Sequence, residues 1–132
     1  MKLTFATLIL TSTLSLAANF EDFAKAVAKV ESSNNPKAYN HKEKAIGLLQ
    51  IRPLYFLDAQ KFDRELARFS HRDCFDPQVA RRVMWAYMAR YEPQALREGN
   101  YEVLARCHNA GLGWRNKRAA TNGYWAKVAK NL

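Results

Sequence analysis

Between Phe20 and Glu31 the apolar residues Phe20, Phe23, Ala24, Val27 and Val30 recur at helical spacing and share one stripe. Glu21, Asp22, Lys25 and Lys29 take the opposite face. Asn19 stands where an N-cap is wanted, and the two acids after it suit the positive end of a helix. The chain turns polar from Ser32 to Lys44, with a turn signal at Asn34-Asn35-Pro36, before a short apolar run from Ile46 to Ile51. Pro53 suits the first position of a second helix reaching Phe62, and Asp76-Pro77 opens a third. The apolar face of that third helix is Ala80, Val83, Met84, Tyr87 and Tyr91. Two more helices are predicted over Tyr101 to Cys107 and Gly123 to Asn131, with Gly111 and Gly113 punctuating the loop between them. No strand pair, repeat or linker stands out. The pattern predicts an all-α or mainly α single domain.

The N-terminus changes what counts as the domain. Met1-Lys2 is followed by an uncharged run from Leu3 to Leu16 that ends in small residues at Ala17-Ala18. This is the pattern of a secretory signal peptide over residues 1–17, leaving residues 18–132 as the folded unit. The run is short of the ~20 apolar residues that span a bilayer, and it holds four Thr and two Ser. An exported protein, periplasmic or secreted and without stable membrane insertion, is expected. In an oxidising compartment a disulfide is the default reading of Cys74 and Cys107, closing a loop of 32 residues and worth about 3 kcal/mol. Two unpaired thiols are the next reading. A zinc site with His71 and His108 is weaker, because no C-x-x-C or H-x-x-x-H pair supports it. No metal or cofactor is expected.

Composition narrows the class. With 132 residues, 48% hydrophobic and 25% charged, the chain is globular and of single-domain size, and two cysteines are too few for a disulfide scaffold. The formal charge of +9 points to an acidic partner: nucleic acid, a membrane, or an anionic polymer such as a cell wall.

Glu31 breaks the pattern of its helix. Lying four residues after Val27, it projects from the middle of the apolar stripe. Desolvation there disfavours the ionised form, and a carboxylic acid still protonated near neutrality suits general-acid cleavage of a glycoside. A helix-terminal Glu that bends to solvent or pairs with a base fits the spacing equally well.

The residues after Glu31 form a series. Glu31-Ser32, Asn34, Pro36 and Ala38 are followed by Ala45-Ile46-Gly47-Leu48-Leu49-Gln50-Ile51, by Ala105-Arg106-Cys107-His108-Asn109-Ala110-Gly111, and by Tyr124-Trp125-Ala126-Lys127-Val128. In this order the blocks resemble the lytic transglycosylases of the soluble-lytic-transglycosylase type, related to goose-type lysozymes, with Leu49 where Met is commoner. The resemblance implies a lysozyme-like, mainly helical domain with a groove for peptidoglycan glycan strands. It implies that Glu31 performs both proton transfers, first to the oxygen between N-acetylmuramic acid and N-acetylglucosamine, then from the muramic 6-hydroxyl as a 1,6-anhydro ring closes. It assigns Ser32, Gly47, Gln50, His108, Asn109 and Tyr124 to substrate binding. His108 stands where the family usually has Tyr, and it would bring a group titrating near pH ~6.5 into the groove or else face a neighbouring helix.

A hydrolase of the same bond would want a second carboxylate ~5–9 Å from the first. Asp58, Asp63, Asp73 and Asp76 are the only loose candidates and read better as surface charges and helix caps. Goose-type hydrolysis stays open. After Glu102 no acid remains, while Arg106, Arg115, Lys117, Arg118, Lys127 and Lys130 follow, interleaved with Trp114, Tyr124 and Trp125. Such a mixture suits single-stranded nucleic acid, anionic glycan or a plain solvated face, and export argues against nucleic acid. Two function classes emerge: a monomeric glycan-strand lyase, and a non-catalytic cationic wall-binding or antimicrobial module. By analogy alone, a secretion, pilus or conjugation apparatus is a further partner.

Overall fold

The computed structural model of the chain describes residues 19–132, so the signal-peptide reading of residues 1–17 lies outside it. Six α-helices among the described residues carry the fold: α1 over residues 19–32, α2 Pro53–Phe62, α3 Pro77–Tyr91, α4 Pro93–Glu98, α5 Tyr101–Ala110 and α6 Arg118–Lys130. The fold is mainly α, as the pattern predicts. Three 3-10 turns, Arg64–Arg68, His71–Phe75 and Trp114–Lys117, fill the connections.

The stripe of α1 is the stripe the sequence marks. Phe20, Phe23, Ala24 and Val27 are buried, Val30 packs against them, and Phe23 stacks on Tyr101 of α5. Asn19 is already helical, so it is not the cap. α2 and α3 open at their prolines, and Asp76 caps α3 by accepting from Gln78 N at 2.8 Å. Val83, Met84 and Met88 put α3 at the centre, packed on α2, α4, α5 and the His71–Phe75 turn.

Three elements depart from expectation. α4 is a six-residue helix started by Pro93 and stopped by Gly99 in the left-handed conformation, too short to show a period. α6 begins five residues before Gly123. Glycine weakens a helix interior, but buried Arg106 bonds Arg118 O and Thr121 Oγ1, both at 2.8 Å, and so fixes the first turn of α6 against α5. A hairpin also forms, β1 Tyr39–Asn40 against β2 Ala45–Ile46, with Tyr39 opposite Ile46 and Asn40 opposite Ala45. Asn40 Oδ1 closes its turn by accepting from Lys42 N and Glu43 N, and two-residue strands carry no readable alternation.

The expected disulfide is not formed. Cys74 and Cys107 are free buried thiols. Cys74 belongs to the turn packed on α3 and β2, whereas Cys107 lies on α5, which packs on α3, α4, α6 and the Trp114–Lys117 turn. Trp114 is likewise no stacking platform. It is buried, its Nε1 donates to Glu92 Oε1 at 2.9 Å, and Arg115 holds the same carboxylate at 2.6 Å.

Gly47 directly follows β2 with φ +77°, and a Cβ there would overlap the Cys74 carbonyl oxygen. Gly47→Ala combines a disfavoured backbone conformation with a clash against backbone. Chemical denaturation should show a loss of about 2–4 kcal/mol. A loss under about 0.5 kcal/mol would contradict this packing role.

Candidate active site

Glu31 is the penultimate residue of α1, and the way that helix stops determines where its carboxyl points. Ser33 and Asn34 take left-handed conformations at φ 54° and 62°. Ser33 N bonds Lys29 O and Asn34 N bonds Ala28 O, so two of the last helical carbonyls keep backbone partners as the chain turns away. Ser32 then ties the helix end to the apolar segment: its Oγ lies 2.9 Å from Leu48 O and 3.1 Å from Ala28 O, and it accepts from Asn35 N. The Ser32 hydroxyl is a latch between α1 and that segment, and its proton serves backbone carbonyls.

The segment from Ile46 to Ile51 is a tight loop whose two ends exchange backbone hydrogen bonds at 3.1 and 3.0 Å. Ile46, Leu49 and Ile51 are buried, anchoring it in the core. Gln50 is left-handed at φ 51°, and its Nε2 donates to Gly47 O at 3.0 Å and Ala38 O at 3.3 Å. The amide nitrogen therefore braces the loop, and Gln50 also lines the cavity that Glu31 lines. Gly47 serves the close approach to Cys74.

His108 departs furthest from expectation. It is 3% exposed, accepts at Nδ1 from Tyr55 Oη at 2.9 Å and donates from Nε2 to Leu49 O at 2.9 Å. Burial lowers its pKa to about 4, with Arg52 adding to the effect, so the imidazole is neutral near pH 7 and brings no titration at pH 6.5. Its Nε2 lies 3.8 Å from Glu31 Oε1. With the ring neutral this is a packing contact beside the acid.

Glu31, Gln50, His108 and Asn109 converge on a polar cavity of about 140 Å³, together with Asn40, Glu43 and Arg52. Burial raises the Glu31 pKa above its ordinary value. The Tyr124 hydroxyl and the Arg52 guanidinium pull it back, and Glu43 pushes it up again. Tyr124 Oη is buried close to the carboxyl without completing a well-formed hydrogen bond. Arg52 is fixed by Nη2 donating to His108 O at 3.0 Å, and it also lines an adjoining cleft of about 420 Å³ with Tyr55, Asp58 and Tyr87.

Sequence pattern alone does not mark Asn40, Glu43, Arg52 or Tyr55. Arg52 directly follows the apolar run, the one local signal available; Asn40 and Glu43 reach the cavity only through the hairpin. Among the loose acids, Asp63 pairs with Arg82 at 2.9 Å, Asp73 caps Ser70 and Asp76 caps α3, while Asp58 lies in the adjoining cleft. The basic C-terminal stretch also thins out. Arg106 is buried, Arg115 holds Glu92 and Arg118 holds Glu102, leaving Lys117, Lys127 and Lys130 as the exposed cations of this stretch without an ion pair among the described residues. His71 Nε2 bonds Ile51 O at 2.7 Å, away from the cavity.

A protein-family model described as Transglycosylase SLT domain matches residues 17–130. No curated protein and no solved structure matches the chain.

Because folded Glu31 keeps its proton to higher pH than the unfolded chain does, the native state is penalised once that proton leaves. The penalty is absent below 4.5, the ordinary value, and grows as pH rises through the native one. Glu31→Gln should therefore melt above the wild type at pH 7, with the gap closing as pH falls toward 4.5. A pH-independent gap would contradict the raised pKa. Tyr124→Phe should raise the Glu31 pKa further, and carboxyl NMR titration reads this directly.

Proposed function

The chain belongs to the transglycosylase SLT domain family, and we propose that it cleaves the β-1,4 bond between N-acetylmuramic acid and N-acetylglucosamine in peptidoglycan, leaving 1,6-anhydro ends. The observation that carries this reading is the Glu31 carboxyl, largely buried where the family's motif blocks meet and with a pKa raised by desolvation. In the first step the Glu31 carboxyl gives its proton to the glycosidic oxygen as the bond from that oxygen to C1 breaks. In the second, the resulting carboxylate takes the proton of the muramic 6-hydroxyl while that oxygen bonds to C1. The carboxyl returns to its starting state and no water is consumed.

The surroundings suit both halves. Burial keeps the proton on before cleavage, and Arg52 and Tyr124 offer the carboxylate a positive charge and a donor once the proton has left. Asn109 and the Gln50 amide oxygen are the polar groups left to meet acetamido and hydroxyl groups of the sugar. Residues 1–17 read as a signal peptide, which would deliver the domain to the wall, and among the described residues no helix is long and apolar enough to cross a membrane.

Hydrolysis of the same bond is a second reading, and it has one observation in its favour: Glu43 lines the cavity of Glu31. A carboxylate there can take a proton from a water attacking C1, in the manner of two-carboxylate glycosidases.

Mass spectrometry of products from purified sacculi separates the two. Anhydro-ended muropeptides, one water lighter than hydrolysed ones, are expected, and reducing ends alone would establish hydrolysis instead. Glu31→Gln should lose at least about a thousandfold in turnover while still sedimenting with sacculi. Full biological effect from that variant would support a non-catalytic cationic module instead.

A further inference from the structure

The hairpin has a second face. Alternation along its strands places Asn40 and Ala45 on one side of the pair and Tyr39 and Ile46 on the other. Asn40 and Glu43 line the Glu31 cavity, whereas Tyr39, Lys44 and Ile46 line a separate groove of about 420 Å³ against the turn bearing His71, Arg72 and Phe75. Ile46 is a buried floor and Phe75 packs against the same core, while Tyr39 stands 45% exposed at the rim.

The charge of this groove is one-sided. Lys44 and Arg72 reach it from two different elements, and no acid lines it. Neither cation has an ion-pair partner among the described residues, so both are available to an anion in the groove. Lys44 is also held at φ 53°, a conformation that glycine adopts without strain. The turn would close more easily with glycine, so turn geometry does not account for a lysine there. A cation beside an apolar, aromatic-rimmed groove does.

We propose that this groove is a second binding site, for the carboxylate-bearing peptide stem of the glycan strand, with Lys44 and Arg72 holding carboxylate and Ile46 and Phe75 receiving the small apolar side chains. The proposal rests on the peptidoglycan reading and extends it, giving the domain a hold on the wall on the far side of the hairpin from Glu31. Short peptide stems combine free carboxylates with methyl groups, which is the complement of this lining.

The test pairs Lys44→Gly with Arg72→Gln, because glycine fits the backbone at position 44 and the double variant should melt close to the wild type. On intact sacculi its KM should rise about five- to tenfold with kcat unchanged. On glycan strands stripped of stems by an amidase, variant and wild type should coincide. An equal effect on both substrates, or none on either, would overturn the proposal. So would a KM rise that disappears once hydrofluoric acid has removed phosphate polymers from the sacculi, since phosphate would then be the anion bound. If the wild type releases no product from any glycan, the catalytic reading fails by itself. Co-sedimentation with stemmed and stripped sacculi then tests the groove, the double variant losing affinity only for stemmed material if the proposal holds.

Discussion

A buried loop needs partners for its carbonyls, and the segment from Ile46 to Ile51 meets that need with side chains drawn from the rest of the fold. Ser32 of α1 reaches Leu48 O, His108 of α5 reaches Leu49 O, His71 of the second 3-10 turn reaches Ile51 O, and Gln50 closes on Gly47 O. Three elements distant in sequence are thereby tied to one irregular stretch. Glu31 is the chain neighbour of Ser32, and Asn109 is the neighbour of His108. The bonds that satisfy the loop thus also set where the acid and its companion stand.

The same arrangement explains the electrostatics. An acid beside a buried loop loses hydration, and a neutral imidazole 3.8 Å away does nothing to restore a charge. Arg52 lies one position beyond the loop, bonded to the His108 carbonyl, so the cation that steadies the ionised acid is positioned through the residue that holds Leu49. Burial and cation oppose each other at Glu31, and in the reaction proposed above that opposition would let one carboxyl both release and reclaim a proton.

Periodicity makes α1 and α3 readable, because each is long enough to show a stripe, and Pro53 marks the start of α2. It fails where packing overrides local preference, as at Gly123 inside α6, and where an element is too short, as in α4 and the hairpin. The acid is readable as a carboxyl on an apolar stripe. The roles around it are not: a serine, a glutamine or a histidine near an acid looks the same in sequence whether it faces a sugar or a backbone carbonyl. Ser32 and His108 bond loop carbonyls, Gly47 packs on Cys74, and Gln50 braces the loop, while His108 and Gln50 also line the cavity. Glu43 and Arg52 become visible only once the hairpin and the loop are folded around Glu31.

The two thiols carry a consequence of their own. Cys74 and Cys107 sit in different parts of the core, each with a pKa pushed up to about 12 by burial. At neutral pH both are protonated and shielded, so neither is a nucleophile while the domain stays closed. Folding of this domain then has no oxidation step to wait for, and an alkylating reagent can mark the thiols only in molecules that have opened. The pair works as an internal clock for breathing of the core, with one hand near the hairpin and the other on α5, reporting whether those two regions open together or in turn.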